Sequence, residues 1–201
     1  MKSLCKKKYK DIETHELIVL SQNDNYCALE ELIRREQKNV YASFYYLDPH
    51  REDHLDLTQE ALLRMSRNIK NLKNPKTFKS WLSQIISNLF YDQLRKKQRG
   101  PNVVSIDLNW EDDSQKCMTH EIKDETAQPE EKTIGKELSD VITEKIYQLP
   151  DQFKFVINMR EIQGLSYEEI AKITKTSVGT VKSRIARARN KLQESLKPYL
   201  I

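Results

Sequence analysis

The chain has 201 residues, 38% hydrophobic and 32% charged, with a formal net charge of +4; that supplies modest helical cores and fits two small domains better than one large one. Three cysteines, Cys5, Cys27 and Cys117, form no Cys-x-x-Cys pair and leave an odd thiol under any pairing, which argues against a disulfide framework or a zinc knuckle. The basic start Met1 to Lys10 leads into no apolar signal region and no stretch approaches a membrane span, so a cytoplasmic protein without membrane insertion is expected.

Four glycines and no sustained apolar/polar alternation argue against hairpins and predict an all-α fold. A short helix is expected near Thr14 to Leu20. The next runs over Asn25 to Leu47 through Leu29, Leu32, Ile33, Val40 and Phe44, and stops at Asp48 and Pro49. Cys27 on its apolar stripe reads as core. A third spans about Leu55 to Leu72 through Ala61, Leu62, Met65 and Ile69, ended by Asn74 and Pro75. A fourth, about Thr77 to Lys97, carries a wide apolar stripe of Phe78, Trp81, Leu82, Ile85, Ile86 and Leu89. From Arg64 to Arg99 ten cations face the single acid Asp92, which makes a basic surface suited to phosphates. Phe78 and Trp81 lie among those charges, but at helical spacing the plainer account of both is core packing.

Beyond Gly100 the composition inverts. Asp107, Glu111, Asp112, Asp113, Glu121, Asp124, Glu125, Glu130 and Glu131 lie between Pro101 and Lys132, the signature of an acidic flexible linker over residues 100–132. Helical periodicity resumes at Leu138, Val141, Ile142 and Ile146; Leu149 and Pro150 then introduce a helix through Phe153, Val156, Ile157 and Ile162, with Gly164 just past its end.

The tract from Gly164 to Leu192 predicts a helix, a short turn and a basic second helix. Ser166 and Glu169 have capping-box spacing, and Tyr167, Ile170, Ala171 and Ile173 give the first helix its stripe. Thr174 to Ser177 interrupts it. Val178, Val181, Ile185, Ala188 and Leu192 form the stripe of the second helix, while its other face carries Thr180, Lys182, Ser183, Arg184, Arg187, Arg189, Asn190 and Lys191. A solvated face is the plain account of a charge run. Such faces mix signs, however, and no carboxylate falls between Lys175 and Lys191, so a DNA-reading helix-turn-helix is the better reading.

Residues 149–192, LPDQFKFVINMREIQGLSYEEIAKITKTSVGTVKSRIARARNKL, resemble the fourth region of bacterial sigma factors of the sigma-70 family. DLTQEALLRM at 56–65 resembles the core-polymerase helix of the second region, and FKSWLSQIISNLFYDQLRKKQR at 78–99 its promoter-melting helix. An acidic linker stands where larger members carry a third domain, which points to the extracytoplasmic-function group. The resemblance implies region 2 over residues 1–99, the linker over 100–132 and region 4 over 133–201. It implies core RNA polymerase and promoter DNA as partners, admits an anti-sigma factor as a third, and requires no cofactor and no metal.

By the same resemblance Asp56, Gln59, Glu60, Leu63 and Arg64 would meet the polymerase. Asn71, Lys73, Lys76, Thr77, Phe78 and Trp81, with Asn88, Asp92, Arg95 and Lys96 on the melting helix, would serve the −10 element and strand opening. Ser177, Val178, Gly179, Thr180, Lys182, Ser183, Arg184, Arg187 and Lys191 would serve the −35 element. Family members commonly have glycine in the helix-turn-helix turn where this chain has Lys175, and a left-handed backbone there costs roughly 1 kcal/mol for a residue with a side chain. No catalytic constellation competes: His50 and His54 lack neighbouring ligands and read as a surface pair. A DNA-binding regulator acting alone is the rival from another class, and it leaves Asp56 to Met65 without a purpose. A recombinase-like enzyme lacks its acid cluster or placed nucleophile.

Overall fold

The computed structural model describes residues 9–98 and 130–199, and all regular elements among them are helical. The sequence dictates most of the boundaries. Helix α1 covers Thr14–Gln22 and α2 covers Tyr26–Leu47. Asn25 caps α2 by accepting the Ala28 amide at 3.1 Å, and Pro49 forbids its continuation. Helix α3, His54–Asn68, leads through tight 3-10 turns at Ile69–Asn71 and Pro75–Thr77 into α4, Phe78–Gln98. In the second half α5 covers Glu130–Tyr147, so its start falls inside the stretch expected as linker; residues 99–129 lie outside the described ones. Helix α6, Asp151–Ile157, runs on as a π-helical turn over Asn158–Ile162. Then come α7, Tyr167–Thr174, α8, Val178–Leu196, and a closing 3-10 turn at Lys197–Tyr199.

Two apolar cores result. Leu32, Val40, Phe44, Ala61, Met65 and Ile69, each no more than 1% exposed, close the first together with Phe78, Leu82, Ile86 and Leu89 of α4. Val156, Ile157, Leu165, Ile170, Val181, Ile185 and Ala188 close the second. Each Val, Leu, Ile, Phe or Met side chain among them contributes about 1.5–3 kcal/mol by leaving water. Ions are buried only in company: Glu31, 4% exposed, accepts from both Arg34 and Arg35, and Arg35 also donates to the carbonyls of Tyr9 and Lys10.

The halves touch. Phe155 of α6 belongs to the first core, not to that of its own half, and Tyr46 of α2 packs against the second. Two expectations need correcting. Cys27 is half-buried and disulfide-bonded, because spacing along the chain does not say which thiols meet in space. His50 and His54 are no surface pair: His54 is buried with Nε2 at 2.7 Å from the Asp48 carbonyl, whereas His50 meets Glu144 of α5 at 3.0 Å.

Candidate nucleic-acid interface

The start of α7 is fixed by a reciprocal cap. Ser166 Oγ accepts the Glu169 amide at 3.2 Å, and Glu169 Oε2 accepts the Ser166 amide at 2.9 Å. Lys175 ends the helix at φ 53°, ψ 38°, in the left-handed region. Its amide and that of Thr176 both return to the Ala171 carbonyl, so the turn has its glycine-type geometry with a lysine in it. Two residues later Ser177 caps α8 by accepting the Thr180 amide at 3.0 Å. Val181, Ile185 and Ala188, at most 1% exposed, then face inward and turn the basic side outward.

On that outward side Ser177, Gly179, Lys182, Ser183, Arg187 and Lys191 are exposed, and Thr180 and Arg184 half-buried. Val178 does not join them, because its side chain packs against the second core, as the spacing of its stripe demands. A Cβ added at Gly179 would meet only Ser177 Oγ, at 3.6 Å, so nothing inside the protein requires a glycine there. Arg189 is held by Glu161 of the π turn at 2.6 Å, and that hydrogen bond raises its already high pKa. Lys182 lies 6.0 Å from the Tyr167 ring and Lys191 5.8 Å from that of Phe153, near the outer limit of cation–π contact.

The second basic surface lies on the loop before α4. Asn74 shapes it by accepting the Lys76 amide at 3.0 Å, and Thr77 Oγ1 donates to the Asn74 carbonyl at 2.8 Å. Gln22 at the end of α1 pins the loop from behind, donating through Nε2 to the carbonyls of Ile69 at 3.0 Å and Leu72 at 2.7 Å. Lys70 pairs with Asp24 at 2.5 Å. Asn71, Lys73, Lys76 and Thr77 are thereby presented to solvent. Phe78 is not: at 2% exposure it is part of the core, so it supports the loop and offers no face to a base. Trp81, with its ring 6.0 Å from that of Phe78, is half-buried. Asn88 and Asp92 are exposed on α4, and Arg95 is half-buried, 3.7 Å from Asp92. The side chain of Lys96 lies outside the described residues.

A third surface is the outer face of α3. Asp56, Gln59 and Leu63 are exposed there, and Glu60 and Arg64 form an intrahelical pair at 2.7 Å. Leu55, 64% exposed, lies on the same face as Gln59 and Leu63, four and eight residues on; Leu63 is 47% exposed. Sequence reasoning passed over Leu55, although its spacing was the signal. It also missed Gln22, for which no local signal exists.

Profiles of known families match on both sides. The sigma-70 region 2 profile covers residues 32–100, and the sigma-70 region 4 profile covers residues 139–192. The ECF RNA polymerase sigma factor SigW of Bacillus subtilis is 32% identical over 170 residues, 85% of this chain and 89% of the relative. The chain belongs to the extracytoplasmic-function family of RNA polymerase sigma factors. This sigma factor acts in promoter-specific transcription initiation, binding core RNA polymerase and promoter DNA. SigE of Mycolicibacterium smegmatis is 33% identical over 167 residues; the match covers 83% of this sigma factor and 61% of that longer relative. Among solved structures, RpoE of Bartonella quintana, co-crystallised with the anti-sigma factor NepR, has the same fold, with a TM-score of 0.60 at 24% identity over 84% of this chain and 96% of that one. No helix among the described residues of this sigma factor is long and apolar enough to cross a membrane.

Proposed function

We propose that this sigma factor divides promoter recognition between the three surfaces, with region 2 over residues 1–99 and region 4 over residues 133–201. In this reading the exposed start of α8 enters the major groove of the −35 element. Ser177, Thr180, Lys182, Ser183, Arg184, Arg187 and Lys191 lie nearest to DNA, with phosphate contacts fixing position and base contacts supplying discrimination. The spare room at Gly179 suits close approach of a sugar-phosphate backbone. The loop carrying Asn71, Lys73, Lys76 and Thr77 receives the −10 strand, with Trp81 beside it and Asn88, Asp92, Arg95 and Lys96 along the melting helix. Extruding a base costs stacking energy, which a basic groove recovers.

Core polymerase meets Asp56, Gln59, Glu60, Leu63 and Arg64, joined by Leu55. Two exposed leucines on one helix face are the apolar centre that a protein interface needs. The protein acts in the cytoplasm, without a catalytic site of its own, and an anti-sigma factor is a fitting regulator, as NepR is for its Bartonella partner. The observation that carries the reading is the outer face of α8 from Ser177 to Lys191, free of carboxylates, between a capped helix start and a closed apolar side. In vitro transcription with purified core enzyme tests it: a promoter-specific transcript dependent on the protein is expected. Tight DNA binding by the protein alone, with no such transcript from any compatible core, would make it a free-standing regulator instead.

A further inference from the structure

Gln22 stands where α1 ends, and α1 lies against both 3-10 turns of the loop before α4. It precedes the sigma-70 region 2 match, which begins at residue 32. The corner after it is tightly shaped. The Leu20 carbonyl accepts the amides of Asn23 and Asn25, both at 3.1 Å, and Asp24 between them takes a left-handed backbone at φ 61°. Leu17 and Ile18, at most 1% exposed, anchor α1 from beneath, with Ile18 in the first core. Gln22 is half-buried, and its side-chain amide reaches the loop.

Its grip is on the two ends of one turn. A carbonyl can only accept, so both partners demand the nitrogen of the Gln22 amide and its orientation is fixed. One Nε2 group donates to the Ile69 carbonyl at 3.0 Å and to that of Leu72 at 2.7 Å. The Ile69 carbonyl also accepts the Leu72 amide at 3.2 Å, which closes the turn. The Leu72 carbonyl shares a rigid peptide plane with the Lys73 amide, so holding it sets the direction in which the chain enters the exposed stretch. Leu72 and Phe78, 7% and 2% exposed, are buried anchors on either side of Lys73, Asn74, Lys76 and Thr77, which are all exposed. A second tie, Asp24 to Lys70 at 2.5 Å, joins two side chains that are each more than half exposed. Salt screens such a pair. The neutral hydrogen bonds of Gln22 are not weakened in that way.

We infer that Gln22 is a positioning residue for strand opening, which fixes the Leu72–Lys73 peptide plane and thereby aims the loop from Lys73 to Thr77 at the −10 strand without touching DNA. The inference rests on the reading that this loop receives that strand. Extruding a base costs stacking and pairing energy, and a displaced loop recovers less of it. The loss therefore shows where the duplex has still to be opened.

The test uses the full chain with core RNA polymerase and one promoter, selected by the wild-type holoenzyme from a pool of randomised duplexes. That promoter is offered both as an intact duplex and with its −10 segment premelted by mismatches. Gln22→Leu removes both donors at similar size. The ratio of transcript from the duplex to transcript from the premelted template is expected to fall about tenfold, what one to two net hydrogen bonds supply, with affinity for core enzyme unchanged. A mere loss of folded protein lowers both templates alike and leaves that ratio where it was. Gln22→Glu keeps the shape and, at about pH 8, presents a carboxylate with no donor; it should lower the ratio at least as far, and it decides the matter if Gln22→Leu fails to fold. A wild-type ratio in every folded variant would overturn the role of Gln22. Absence of promoter-specific transcript from the wild type would instead overturn the promoter reading, so the two failures are distinguishable.

Discussion

Arg189 Nη2 donates to Glu161 Oε1 at 2.6 Å and ties the basic helix α8 to the π turn that precedes the helix-turn-helix. Two residues earlier Arg187 is exposed. The two arginines look alike in sequence, yet only Arg187 is offered outward without this tie. Arg187→Ala should reduce the salt dependence of DNA binding by a slope of about 0.9, the contribution of one phosphate contact. Arg189→Ala should leave that slope unchanged. Affinity measured against salt concentration checks both.

Gly179→Ala should separate stability from function. The structure has room for the added methyl, whose nearest neighbour would be Ser177 Oγ at 3.6 Å. Alanine is favoured over glycine within a helix by up to about 1 kcal/mol, so the thermal midpoint should rise slightly while affinity for a −35 duplex falls. A variant that is more stable and binds equally well would remove the role assigned to this glycine.

Lys175 holds a left-handed backbone at φ 53°, and Gly164 does so at φ 71°. Lys175→Gly relieves the side-chain cost and loosens the unfolded chain, a net gain of roughly 0.5 kcal/mol. Gly164→Ala incurs that cost and should destabilise by about 1 kcal/mol. Urea unfolding of the two variants should therefore shift in opposite directions.

Acid should weaken the first half through two of its carboxylates. The hydrogen bond from Arg34, with help from Arg35, holds the Glu31 carboxyl below its usual range against the opposing effect of burial. Asp53 is likewise held low, by Arg51. A carboxylate lowered in the folded state stabilises the fold above its unfolded pKa, and that contribution disappears as pH falls through the folded value. Glu31→Gln should thus flatten the acid limb of a stability–pH profile below about pH 4.5, leaving its neutral limb parallel to that of the wild type.

Leu63→Asp, at an exposed position, should change stability by no more than about 0.5 kcal/mol and still weaken binding to core polymerase. Leu55→Asp, on the same face, should do the same. Unaltered binding in both would move the polymerase contact away from α3.

Much of this molecule was legible along the chain. The capping box of Ser166 and Glu169, the stop at Pro49 and the stripes of α2, α4 and α8 each act within four residues, so local spacing sets helix type and inward face. The same locality exposes the basic side of α8, because Val181, Ile185 and Ala188 leave it no other direction to face. Val178 and Phe78 mark the limit, since a family position proposed for DNA contact can be occupied by a side chain that the core claims.

What tertiary structure alone decided are the contacts whose partners lie far apart in sequence. Gln22 pins the carbonyls of Ile69 and Leu72, Asn158 finds that of Ser43, and Phe155 leaves its own half to stack on Tyr91. No periodicity encodes them, because an apolar side chain states that it will be buried and not against which surface. The sequence by itself determined the helices, the two cores and the basic faces. The way in which the two halves close on each other depends on shape and pairing between surfaces that exist only once each half has folded.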